Sequence, residues 1–252
     1  MRNNSKMTES SIPTIDRQKQ FWDWHWQNWR ERKTINSWKE RRHELLLSAL
    51  RSLQLDRPHI LDLGCGQGWF AAKLAMFGDT TGIDLSEEGI RDARRRDPHV
   101  NFIAGNLYTY PLPFEYYDVI VSQEVVDHVQ DQVAFIHRAA DVLKPGGYFI
   151  LSCANKFVID RVGPDEFPEQ PPDHIADYLS LSDLKRLLSA RFRVIHARSI
   201  LPVAGSRGIL RLVNSFKVNA ALGTFLSPHQ VDALKEFAGF GYQLVALAQK
   251  KS

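Results

Sequence analysis

From Pro58 onward the chain alternates short apolar runs with amphipathic stretches, the pattern that strands and helices of a parallel sheet leave in a sequence. The runs His59 to Leu63, Thr80 to Asp84, Val100 to Ala104, Tyr117 to Val121 and Tyr148 to Ser152 predict strands. Helices are predicted for Gly68 to Phe77, for the stretch that Ser86 caps ahead of Glu87-Glu88 and that ends near Arg96, and for Gln130 to Leu143 before Lys144-Pro145-Gly146-Gly147. After Ser152 the rhythm breaks. Residues 153–178 are rich in proline and acids and read as loop or cap. Leu181 to Ala190 predicts a helix and Phe192 to Ile200 a strand. Residues 201–239 interrupt again, with helical stretches near Leu210 to Leu222 and Pro228 to Phe237, before a last strand at Tyr242 to Ala248.

Upstream of Pro58 the pattern is helical. Residues 1–17 are polar and read as a disordered tail. Trp22, Trp24, Trp26 and Trp29 follow within eight residues, and Trp22, Trp26 and Trp29 fall on one helical face. That face buries either against the main domain or over a ligand. A second helix, Ser37 to Leu53, places Arg42, Leu46, Ala49 and Leu53 together. The expected organisation is a tail (1–17), a helical lid (18–57) and one domain (58–252) with cap insertions near 153–178 and 201–239.

With 252 residues and a formal charge of +3, the basic clusters are short and mixed with acids, which argues against a nucleic-acid partner. No apolar run approaches the ~20 residues of a membrane span, and no apolar leader run is visible near Met1. Cys65 and Cys153 follow strands that another strand separates, too far apart for a disulfide. Free thiols suit a reducing, cytoplasmic setting. No Cys/His spacing suggests a metal site, so no metal ligand is assigned.

The chemistry centres on Ile60-Leu61-Asp62-Leu63-Gly64-Cys65-Gly66-Gln67-Gly68-Trp69-Phe70. A buried strand, a glycine turn and a helix start bring backbone N–H groups close to a ligand. A nicotinamide dinucleotide site wants its third glycine where Trp69 stands, which counts against that cofactor. Asp84 closes the second strand twenty residues after Gly64, where a carboxylate takes both hydroxyls of a ribose.

These residues resemble the class I S-adenosylmethionine-dependent methyltransferases, in their small-molecule branch. The resemblance rests on Leu61 to Gly68, Gly82-Ile83-Asp84-Leu85-Ser86, Phe102 to Asn106 before Leu112-Pro113-Phe114, Tyr117 to Ile120, and Leu143 to Gly147, in order. It implies an α/β fold: a Rossmann-like, doubly wound, mostly parallel seven-stranded sheet with an antiparallel C-terminal edge strand. It also implies S-adenosylmethionine as cofactor. Asp62, Gly64, Cys65, Gly66 and Gly68 would meet its methionine end and Asp84 its ribose. Leu85, Asn106 and Leu107 would lie by the adenine, with Gln123 along the methionine part and Arg42 on the carboxylate.

Past the methyl group, His128 follows the fourth strand, at the sheet edge where ligands bind, and its ordinary pKa suits a general base. His174, in the cap, is the second candidate, and His25 in the tryptophan helix a third. Glu124-Val125-Val126-Asp127-His128 looks like the Glu-x-x-Glu-His of ubiquinone-biosynthesis O-methyltransferases, where such residues accompany a divalent metal; Asp127 is shorter than the second Glu of that pattern. Tyr108, Tyr110, Phe157 and the 201–239 insertion are available to wall an acceptor. The expected activity is methyl transfer to a small-molecule acceptor at oxygen, with transfer to nitrogen or carbon, or cofactor binding without methylation, as alternatives.

Overall fold

The computed structural model describes residues 13–29, 37–162, 173–203 and 208–251. Two helices, α1 (Ile15–Trp29) and α2 (Ser37–Ser52), precede an alternating core. The core runs β1 (His59–Leu63), α3 (Ala71–Leu74), β2 (Asp79–Asp84), α4 (Glu87–Arg96), β3 (Asn101–Ala104), β4 (Tyr117–Gln123), α5 (Gln132–Val142) and β5 (Leu143–Ala154). Then follow α6 (Lys156–Val162), α7 (Leu181–Ser189), β6 (Phe192–Pro202), α8 (Gly208–Val213), α9 (Phe216–Gly223), α10 (Pro228–Phe237) and β7 (Gly241–Lys250).

The seven strands lie in the order β3-β2-β1-β4-β5-β7-β6. β1 to β5 pair in parallel, while β7 runs antiparallel to both neighbours. The antiparallel strand is the C-terminal one, and β6 sits outside it as the edge. Both faces are covered, as a parallel sheet requires. Alternation along β1 sends Leu61 and Leu63 into a core with Phe135, Phe149 and Phe192, and Ile60 into a core with Leu46, Leu50, Phe70 and Leu74. Asp62 shares the face of Ile60, so a carboxylate is buried where α2 and α3 pack.

Several elements differ from the expectation for local reasons. Residues 1–12 lie outside the described residues, but Ile15 to Arg17 are helical: the Thr14 carbonyl accepts from Gln18 N at 2.9 Å, and Asp16 occupies the first turn. β5 begins at Leu143, before the proline and glycines, because Leu143 already pairs with Tyr117 across an irregular register. The helix read as 210–222 is two, divided where Ser215 caps α9 by accepting from Val218 N. Within 153–178, α6 forms, with Asn155 Oδ1 accepting from Phe157 N just before it; residues 163–172 lie outside the described residues. Both cysteines are free thiols.

Gly68 has φ +74°, and a Cβ there would stand 2.7 Å from Phe102 and 2.8 Å from Ala93. It lets the turn after β1 seat on β3 and α4. Gly68→Ala is expected to cost about 1–3 kcal/mol through strain and overpacking; an unchanged urea midpoint would contradict this.

Candidate functional site

The carboxyl ends of β1, β2 and β4 open into one cavity of about 990 Å³, at the edge of the sheet where open α/β proteins bind ligands. The glycine turn, Asp84-Leu85, Gly105 to Tyr108 and Gln123 to Gln130 form its floor. α1 and α2 close it from above, the 174–178 segment and the start of β7 from the side.

On the floor, Asp84 Oδ2 accepts from Gly66 N at 2.8 Å and Oδ1 from Ser86 N at 2.9 Å, tying the glycine turn to the end of β2. Burial pushes the Asp84 carboxyl up to about 6. Asp62 rises to about 7, through burial and then the nearby Asp84 charge, against a hydrogen bond from the Ala71 backbone. Gly64 and Gly66 take φ +84° and +52°. A Cβ at Gly64 would lie 2.2 Å from Val125, and one at Gly66 2.5 Å from the Trp26 ring, so neighbours press on this turn at distances only glycine permits. Beside it, Arg42 Nε donates to Gln123 Oε1 at 3.1 Å, and its guanidinium stands 3.6 Å from Glu124 Oε1. Glu124 has left-handed backbone (φ +55°), a strained geometry that aims the chain after β4 across the cavity. Burial raises its carboxyl, Arg42 opposes that, and Asp127 adds to it.

Opposite the glycine turn the histidines converge. The His128 and His174 rings lie 4.7 Å apart between centroids, tilted by 42°, with Trp22 edge-on to His128 at 5.5 Å and to His25 at 5.4 Å. His128 Nδ1 lies 2.7 Å from the Ile175 carbonyl. A carbonyl only accepts, so Nδ1 carries the hydrogen and the Nε2 of the neutral ring keeps a lone pair. Burial first, then neighbouring positive charge, lowers His25 and His174 to about 4, so both are neutral near pH 7. Among the described residues, no group of three or more His, Cys, Asp or Glu is placed to hold a metal ion.

α1 is fastened at both ends of this cavity. Asp23 Oδ1 accepts from Ser86 Oγ at 2.6 Å and from Glu88 N at 3.1 Å, on the first turn of α4. On the cap side, Arg17 pairs with Asp173 at 2.8 Å, and Gln18 donates to the Asp173 carbonyl.

Buried polar side-chain atoms without a hydrogen-bond partner, among the described residues, are Gln18 Oε1, Trp26 Nε1, Asp62 Oδ2, Asp127 Oδ1, His174 Nδ1 and Gln243 Oε1. Each belongs to a residue that lines this cavity. Orphaned groups cost free energy unless a ligand or water meets them, so their concentration here marks the site. The donor set fits S-adenosylmethionine: an unmet carboxylate at Asp62 beside a backbone cradle, and Asp84 with a lone pair left on each oxygen for ribose hydroxyls. Of the residues expected to hold it, Arg42, Asp62, Gly64, Cys65, Gly66, Asp84, Leu85, Asn106, Leu107 and Gln123 reach the cavity. Gly68 does not; its role is the packing against Phe102 and Ala93. His128 and His174 both reach it, as does Tyr108, while Tyr110 and Phe157 stand back. The face holding Trp22 and Trp26 turns towards the cavity, and the Trp29 side chain lies outside the described residues. Sequence reasoning missed Gln18, Tyr178 and Gln243, each separated by long stretches of chain from the motif residues.

This strand order, with a glycine turn after β1 and an acid ending β2, defines the fold of class I methyltransferases. Residues 61–151 match the family model described as a methyltransferase domain. A probable S-adenosylmethionine-dependent methyltransferase of Mycolicibacterium smegmatis is 32% identical over 167 residues, 66% of this chain and 63% of that protein. A ubiquinone biosynthesis O-methyltransferase of Hydrogenovibrio crunogenus is 34% identical over 108 residues, 40% of this chain and 45% of that one. The chain thus spans less than two thirds of the length of these curated relatives. The crystal structure of the N-methyltransferase NodS of Bradyrhizobium japonicum with S-adenosyl-L-homocysteine has a TM-score of 0.62 at 19% identity, covering 94% of this chain and 100% of that one. The [4+2]-cyclase SpnF has a TM-score of 0.64, also at 19% identity, covering 95% and 98%. At such identities both show the fold.

Asp62 is held above its usual carboxylate range of about 3.8, so the fold favours its neutral form. The stability this gives is complete below pH ~4 and is lost as pH rises through about 7. Asp62→Asn keeps a neutral acceptor. Urea unfolding without cofactor is expected to show this variant gaining stability relative to the parent between pH 5 and pH 8; a pH-independent difference would contradict the assignment.

Proposed function

We propose that this protein transfers the methyl group of S-adenosylmethionine to an oxygen of a small-molecule acceptor, with His128 as general base. The observation that carries the reading is the contact of His128 Nδ1 with the Ile175 carbonyl. That contact commits the Nδ1–H, which leaves the Nε2 lone pair on a ring in the cavity wall.

When bound, S-adenosylmethionine supplies an electrophilic methyl on a sulfonium. The chain's own residues do the rest. Asp84 accepts the ribose hydroxyls, the cradle of Gly64, Cys65 and Gly66 lets backbone approach the methionine part, and Asp62 meets its polar end. Arg42, steadied by Gln123, takes the cofactor carboxylate. Leu85, Asn106 and Leu107 flank the adenine. On the acceptor side, Trp22, His25 and His174 present uncharged rings, which favour an apolar or aromatic body carrying a hydroxyl. His128 Nε2 takes the hydroxyl proton as the oxygen attacks. Residues 18–57 serve as the helical lid of the 58–252 domain, with α1 excluding water; the bonds from Asp23 to α4 and from Arg17 and Gln18 to Asp173 support this role.

The test is release of S-adenosylhomocysteine during incubation with S-adenosylmethionine and a panel of small hydroxylated aromatic acceptors. Tight cofactor binding with no turnover on any of them would favour a non-methylating role. His128→Ala is expected to lower turnover by ~10²–10⁴-fold while S-adenosylhomocysteine affinity stays unchanged. Full activity in that variant would remove the base, as transfer to an already neutral nitrogen would require.

A further inference from the structure

We propose that the insertion between β6 and β7 docks on the surface of an anionic lipid bilayer. Among the described residues, seven of the sixteen exposed large apolar side chains fall within this one segment, 208–237. α9 has no buried residue at all, although its sequence, Phe216-Lys217-Val218-Asn219-Ala220-Ala221-Leu222-Gly223, is mostly apolar. Phe216, Phe225 and Phe237 are 87%, 89% and 89% exposed. Scattered exposed apolar side chains are ordinary, but their concentration in one segment marks an interaction surface.

The chemistry of the segment selects the occupant. The three phenyl rings stand almost entirely free at helix ends: at the first residue of α9, just past its last, and at the last residue of α10. Rings that project singly suit insertion between acyl chains better than a flat protein face, which would need them packed side by side. Exposed Arg211 and Lys217 stand next to Leu212 and Phe216 in the chain. Long basic side chains beside inserted apolar ones reach back to anionic headgroups.

The base of the insertion ties this tip to the cavity. Leu210 of α8 is fully buried with Val158 and Val162 of α6, against Val203 and Tyr242. Val162, Val203 and Tyr242 also line the cavity. The insertion that carries the exposed rings is therefore rooted, through Leu210, in residues of the cavity wall. No helix among the described residues is long and apolar enough to cross a membrane, so the contact is peripheral.

Co-sedimentation of the full chain with vesicles of phosphatidylglycerol and phosphatidylcholine in equal parts tests this without cofactor or acceptor. Binding is expected, weaker on pure phosphatidylcholine and weaker again as salt rises. Joint replacement of Phe216, Phe225 and Phe237 by Ser is expected to reduce partitioning ~10-fold or more. The thermal midpoint should stay unchanged, because these rings bury little. Absence of vesicle binding by the parent, or equal binding by the variant, overturns the proposal. So does sedimentation equilibrium showing a dimer of the parent that the variant loses, since a second copy would then cover this face.

Discussion

The Asp84 carboxylate is the constraint on which the site depends. One oxygen takes the Gly66 N–H and the other the Ser86 N–H, so the turn after β1 and the start of α4 are fixed to the end of β2. Ser86 carries the network onward, because its hydroxyl donates to Asp23 while accepting from Gly89 N. Through Asp23, which takes both this hydroxyl and the Glu88 N–H, α1 is held to the nucleotide-type floor it covers. The turn after β1, the end of β2, the start of α4 and the distant α1 thus share a single chain of hydrogen bonds. The cost is a buried carboxylate raised to about 6, next to Asp62 at about 7. Both oxygens of Asp84 retain capacity, and Asp62 Oδ2 has no partner. Polar groups left this way favour a ligand that brings hydroxyls and positive charge.

The floor was legible in the sequence because its signals are local. A buried strand, a glycine turn and an acid at the end of the next strand stand at fixed spacings, and each has a backbone reason. Gly68 shows where spacing alone misleads. It continues the alternation of Gly64 and Gly66, but its positive φ serves a contact with Phe102 and Ala93, which only the assembled sheet brings near. Helix and strand limits shifted where a partner intervened, as when pairing with Tyr117 drew Leu143 into β5 ahead of Pro145.

The acceptor side was only half legible. His25, His128 and His174 were separate candidates in the sequence, and nothing local says that they meet. They meet because α1 lies across the sheet edge and the 174–178 segment folds back on the chain after β4, where Asp177 N donates to the Asp127 carbonyl at 2.9 Å. Their mutual burial lowers two of them to about 4, so they stay neutral well below the pH at which an isolated histidine takes up a proton. Chemistry on this fold is set by such additions rather than by the sheet. A methyltransferase and a cyclase both share its architecture with this chain.

Calorimetric titration of S-adenosylhomocysteine into the parent and into Asp84→Ala measures the central constraint directly. Loss of the ribose contact and of the anchor on Gly66 and Ser86 is expected to weaken binding by ~10-fold or more, in line with a charge-assisted hydrogen bond of about 1.5–3 kcal/mol. Equal affinity in the two proteins would contradict the assignment of this cavity to the cofactor.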